Sequence, residues 1–137
     1  MFTKSKIRNN DLLYPELSYK IIGILFDVYN KMGYGYQEKY YQRAVATKLK
    51  ENNINFREQF PIEIIFDNNK IGKYFLDFLI EDKIILEIKK MDKFLKSNFD
   101  QTYAYLKSTK LELGILANFT KMGLQYKRII NSNLQSQ

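Results

Sequence analysis

The sequence predicts one α/β domain, with elements in the order α-α-β-β-β-α-β-β. Three observations lead there. Apolar residues recur at spacings of three and four in three stretches, the mark of amphipathic helices. Elsewhere they gather in short runs rich in Ile, Phe and Leu, bounded by polar turn residues, as strands do. Finally, 137 residues suffice for one modest core, and no repeat, linker or low-complexity block divides them.

Residues 1–14 are expected to be a disordered lead-in, 15–130 the single domain and 131–137 a frayed tail. Pro15 suits a first helical turn, and Leu17, Ile21, Ile24, Leu25, Val28 and Met32 follow at helical spacing, predicting a helix over 15–32. Met32-Gly33-Tyr34-Gly35 breaks it. A second helix over 37–52 carries Tyr41, Ala44, Val45 and Leu49 on one stripe, and Asn52-Asn53 ends it. From Phe56 to Phe66 the pattern becomes strand-like, with Ile62, Ile64 and Phe66 on one face, and Asp67-Asn68-Asn69-Lys70 has the composition of a turn. Strands over 71–80 and 83–89 surround Glu81-Asp82. A third helix over 94–108 and strands over 111–118 and 124–130 complete the chain.

Composition narrows the chemistry. There is no cysteine and no histidine. Zinc fingers, iron–sulfur clusters, disulfide frameworks and every His-dependent hydrolase are excluded. Any metal must be held by oxygen, which points to magnesium, manganese or calcium, and any general base is a carboxylate, Lys or Tyr. The net charge of +7 suits a polyanionic partner and equally a solvated surface. Residues 1–10 are polar and basic without the apolar region of a signal peptide, and no run approaches a membrane span, so the cytoplasm is the expected compartment.

The residues with most chemical promise are Asp77 and Glu87-Ile88-Lys89. On a strand, Glu87 and Lys89 project from one face while Ile84, Leu86 and Ile88 take the other. A three-residue loop, Glu81 to Lys83, sets Ile80 opposite Ile84, Phe78 opposite Leu86, Leu76 opposite Ile88 and Asp77 opposite Glu87. Two facing carboxylates repel, and one pKa rises. A divalent cation removes the penalty, and Lys89 relieves it partly. Such a pair suits magnesium, or manganese, bound together with water and a phosphate. The same residues also fit a plain solvated sheet face with a Glu–Lys pair.

Glu38 starts the second helix and shares the stripe of Tyr41 and Val45, though a carboxylate at a helix start is also what the macrodipole favours. Gln101 and Tyr105, four apart, share a face of the third helix, with Phe99, Tyr103 and Leu106 expected to form its core stripe. Lys89, Lys90, Lys93 and Lys96 run from the Glu-x-Lys strand into that helix, a spacing suited to phosphate contacts. Tyr34, Tyr36, Tyr40 and Tyr41 suit either base stacking or packing between helices or subunits.

Taken together, Gly35-x-x-Glu38-x-x-Tyr41, Asp77, Glu87-x-Lys89 and Gln101-x-x-x-Tyr105 resemble the GxxExxY family of the PD-(D/E)XK nuclease superfamily, over about Leu17 to Ile130. The resemblance implies a restriction-endonuclease-like core, a mixed central β-sheet flanked by helices. It implies Glu38, Asp77 and Glu87 as acidic metal-site residues, with the Ile88 carbonyl as a further ligand and Lys89 as the catalytic lysine. Gln101 and Tyr105 match the QxxxY motif of RecB-like nucleases, where they border the site and contact DNA, here beside Lys90, Lys93 and Lys96. Relatives often carry Arg two residues before the Asp and His three before the Gln; this chain has Phe75 and Asn98. The expected activity is magnesium-dependent phosphodiester hydrolysis on DNA rather than RNA, assisted by a homodimer or larger protein partner. The alternative is a nuclease-fold module that binds nucleic acid or protein without cutting.

Overall fold

Pro15 opens the first helix because its fixed φ suits the first turn and its missing N–H is one the helix would leave unbonded. In the computed structural model, which describes residues 13–131, helix α1 runs Pro15–Met32 and buries Ile21, Ile24, Leu25 and Val28. Gly33, at a φ of 71°, stops it, its N–H donating to the Tyr29 carbonyl at 2.8 Å. Helix α2, Glu38–Glu51, buries Tyr41, Val45, Ala46 and Leu49. Both apolar stripes lie on one face of the sheet, over Phe78, Ile80, Ile84, Leu86, Ile88, Ile115 and Phe119.

The sheet is mixed and five-stranded, in the order β1-β2-β3-β4-β5. Strands β1 (Phe56–Phe66) and β2 (Asn69–Ile80) form an antiparallel hairpin. Its tight turn places Asp67 and Asn68 at φ 49° and 64°, the left-handed conformation that Asp and Asn tolerate. Strand β3 (Ile84–Lys89) returns antiparallel, with Ile80 paired to Ile84 and Phe78 to Leu86 across the three-residue loop that the apolar pairing predicts. Helix α3 (Lys96–Thr109) then crosses the opposite face, so β4 (Leu113–Thr120) joins β3 in parallel. Strand β5 (Gly123–Ile130) closes the edge. This is the restriction-endonuclease-like arrangement, in the expected element order. None of the described helices is long and apolar enough to cross a membrane.

Four details depart from the sequence pattern. Leu76, expected opposite Ile88, packs instead with Ile62, Ile85, Tyr105 and Leu106 in the second core, under α3. The regular β2–β3 pairing stops at Phe78–Leu86, and Gln59, between the partners of Phe78 and Leu76, takes a left-handed φ of 48°. Alternation therefore changes faces at Asp77. Ile64 and Phe66 are exposed at the end of the β1–β2 hairpin, which reaches beyond both helical layers; only Ile62 of that set is buried. Helix α3 turns Asn98, Thr102, Tyr105 and Leu106 inward rather than Phe99 and Tyr103. Thr102 and Leu106 lie over Gly114 of β4, where a Cβ would stand 3.0 Å from the Thr102 methyl. Asn131, expected to begin the frayed tail, is buried and donates its N–H to the Glu112 carbonyl. Residues 1–12 and 132–137, the rest of the expected lead-in and tail, lie outside the described residues.

Candidate active site

The site forms where β2 and β3 stop pairing. The Asp77 N–H donates to Glu87 Oε2 at 2.7 Å, and the Ile88 N–H donates to Asp77 Oδ2 at 2.8 Å. The other Glu87 oxygen accepts the Tyr74 hydroxyl at 2.9 Å. Carboxylate side chains have thus taken main-chain donors that would otherwise extend the ladder. Two carboxylates end side by side, Glu87 only 1% exposed and Asp77 half-buried.

Burial dominates their electrostatics. It pushes the Glu87 carboxyl up to about 7, with the Asp77 charge adding to the rise, while the Asp77 N–H, the Tyr74 hydroxyl and the Lys89 charge oppose it. Asp77 rises to about 6, chiefly through burial and then through the charge of Glu38; the Ile88 N–H and Lys89 oppose that. The two groups titrate as one system rather than as two independent acids. Lys89, half-buried on the Glu87 face of β3, is the cation that both feel.

Glu38 reaches this region from the first turn of α2. Its position depends on the preceding turn, which Tyr41 holds from within. The fully buried Tyr41 donates its hydroxyl to the Gly33 carbonyl at 2.6 Å and accepts the Tyr36 N–H at 3.4 Å. Its ring stacks on Phe119 at 4.2 Å, so Tyr41 is a core residue and no surface for bases. Gly35, at a φ of 120°, supplies a conformation that other residues rarely adopt. Glu38 affects Asp77 through its charge, yet no three acidic residues among those described gather into a ready-made cation cage. Asp77 and Glu87 alone still fit magnesium, which commonly takes one or two carboxylates and fills its other positions with water.

The remaining predicted residues lie unevenly about this pair. Tyr105 is buried, stacked 4.1 Å from the Tyr74 ring, and so stands behind the tyrosine that bonds Glu87. Gln101 and Lys93 are exposed, and exposed Lys96 is bonded to Asp100 at 2.8 Å. Lys90 lies 5.3 Å from the Tyr34 ring centre. At the two departures, Phe75 is exposed with the Lys73 ammonium over its ring, and Asn98 accepts the Leu95 N–H at 2.8 Å to secure the start of α3.

Sequence reasoning missed Tyr74 and Asn118. Tyr74 alternates in a strand like any half-buried aromatic and gives no local signal of its bond to Glu87. Asn118 does stand out, as the one amide in an apolar run from Leu113 to Phe119. It pairs with Lys89 across the parallel ladder, and its Oδ1 accepts the Met91 N–H at 2.9 Å, fixing the chain as it leaves β3. Among the described residues its buried Nδ2 has no hydrogen-bond partner.

Comparison with known proteins bears on the family and the fold. A family model described as the PD-(D/E)XK nuclease superfamily matches residues 15–129. Among solved structures, a protein designated SSO0001 is similar at 21% identity and a TM-score of 0.53, over 72% of this chain and 55% of that one. The present chain thus spans little more than half that protein's length. An alkaline exonuclease from Laribacter hongkongensis is similar at 12% identity and a TM-score of 0.45, over 87% of each chain. No curated protein matches.

Proposed function

The chain belongs to the PD-(D/E)XK nuclease superfamily, and we propose that it is a divalent-metal-dependent nuclease hydrolysing phosphodiester bonds of DNA in preference to RNA. The observation that carries this reading is the interlocked Asp77–Glu87 pair, both pKa values raised, with Lys89 beside it. A buried carboxylate beside a half-buried one is costly even with Lys89 near, and a hard cation offsets that cost. Nucleases of this superfamily generally use divalent metals. Asp77, Glu87 and the Ile88 carbonyl would hold magnesium or manganese, with Glu38 contributing negative charge. When bound, the ion would polarise a phosphoryl oxygen and make its water more acidic.

The chain's own residues do the rest. Lys89 offsets charge developing on the phosphate. Tyr74, backed by Tyr105, keeps Glu87 in place, and Asn118 holds the segment that follows Lys89. Lys90 and Lys93, in the connection between β3 and α3, attract the DNA backbone, with Lys96 and Gln101 following on α3. Gly35-x-x-Glu38-x-x-Tyr41 supports a reading within the GxxExxY group, and the proposal extends to action in the cytoplasm with a homodimer or larger partner helping to select the strand. Incubating the protein with supercoiled plasmid and with a labelled single strand, in magnesium, manganese or EDTA, tests this reading. Cleavage should require metal and disappear in Asp77→Ala and Lys89→Ala. A second reading, a module that binds nucleic acid without cutting, draws on the lack of a third clustered acid among the described residues. It predicts salt-sensitive binding with no product under any metal.

A further inference from the structure

Tyr34 and Tyr36, in the turn that leads into Glu38, remain 43% and 47% exposed. The turn is braced rather than loose. Tyr41 holds it through Gly33 and the Tyr36 N–H. The Tyr36 ring meets Tyr41 edge-on at 6.1 Å, and Tyr41 stacks on Phe119, so Tyr36 is the outer end of an aromatic column rooted in the core. Tyr34 is engaged by Lys90, the residue directly after Lys89. That contact joins the turn to the end of β3, beside the carboxylate pair. Tyr40 is exposed too, but its ring is taken by Lys39 and Arg43, and it points about 200° around α2 from Glu38.

We propose that Tyr34, Tyr36 and Lys90 form a stacking platform for unpaired bases, so that this site takes single-stranded DNA or a frayed end ahead of intact duplex. The proposal rests on the nuclease reading above and names its substrate class. Bases within a duplex have both faces covered by their neighbours, whereas an unpaired base offers a face to an aromatic ring. The platform's rings are held in place before binding, so little side-chain freedom is lost when a base docks. Lys90 supplies a cation for the adjoining phosphate while lying against Tyr34. Exposed Lys93 extends the same positive track.

Fluorescence anisotropy tests this, with a labelled oligothymidylate and a blunt duplex of equal length, in calcium so that binding is read apart from cleavage. The wild type should bind the single strand more tightly. The double variant Tyr34→Ala/Tyr36→Ala should lose about tenfold or more on the single strand and at most about twofold on the duplex. Tyr34→Phe/Tyr36→Phe should retain single-strand affinity, since the rings rather than the hydroxyls are at work, and a thermal melt checks that each variant is folded. Equal or tighter duplex binding by the wild type overturns the platform, as does equal loss on both substrates, or loss in the Phe variant matching that in the Ala variant. Binding to neither substrate overturns the nuclease reading along with it; binding without discrimination overturns the platform alone.

Discussion

The Glu87 carboxylate accepts the Asp77 N–H at 2.7 Å, while the Asp77 carboxylate accepts the N–H of Ile88, the residue after Glu87, at 2.8 Å. Each acid is therefore held by the other's strand. The side chains that end the ladder are also those proposed to bind a cation. Main-chain donors offset part of the repulsion, but the raised pKa values of both groups show that burial outweighs them.

Stability of the metal-free protein should fall as pH rises. Both acids have folded pKa values above their ordinary 3.8 and 4.5. Folding therefore favours the protonated forms, and stability from this pair is lost between about pH 4 and about pH 7. In EDTA the melting temperature should drop by roughly 5 °C from pH 5 to pH 8. A double variant Asp77→Asn/Glu87→Gln should show a much flatter profile. A wild-type melting temperature that climbs over this range would contradict the assignment.

Metal should reverse that loss. A cation that binds only the folded state stabilises it by mass action, about 2.7 kcal/mol at a hundredfold excess over its Kd. Adding magnesium or manganese at pH 8 should raise the melting temperature of the wild type and leave Asp77→Ala unmoved. Calorimetric titration with manganese gives the same comparison without heating.

Tyr74→Phe removes one donor from Glu87 and keeps the ring stacked on Tyr105. The cost in stability should be about 1 kcal/mol, while metal affinity should fall roughly tenfold because the ligand loses its orienting bond. Tyr105→Phe should change both far less. Manganese titration alongside urea unfolding separates the two effects, and equal metal affinity in Tyr74→Phe would remove Tyr74 from the site.

Gly35 and Gly23 should respond oppositely to alanine. Among the described residues, nothing beyond the local backbone stands within 4 Å of an added Cβ at either position, but Gly35 has a φ of 120°. Gly35→Ala should destabilise by about 1–3 kcal/mol through backbone strain and lower cleavage by displacing Glu38. Gly23→Ala, within helix α1, should stabilise by about 0.5–1 kcal/mol. Urea unfolding of the two variants checks the signs.

The sequence by itself determined the element order, the three helices to within a residue or two, and the register across the Glu81–Lys83 loop. These follow from local periodicity and from pairing apolar residues over a short loop, both of which act within a few residues. It also singled out Asp77, Glu87 and Lys89, because charges interrupting apolar strands are visible in a linear chain. Tertiary structure decided what those charges touch. Leu76 changed faces because side chains at Asp77 and Glu87 displaced the backbone ladder. Tyr105 went inward because Tyr74, thirty-one residues earlier, offered a ring on which to stack. Asn118 came to lie beside Lys89 only through the parallel crossover of α3. Such outcomes depend on which distant surfaces meet, and periodicity along one segment carries no information about its neighbours.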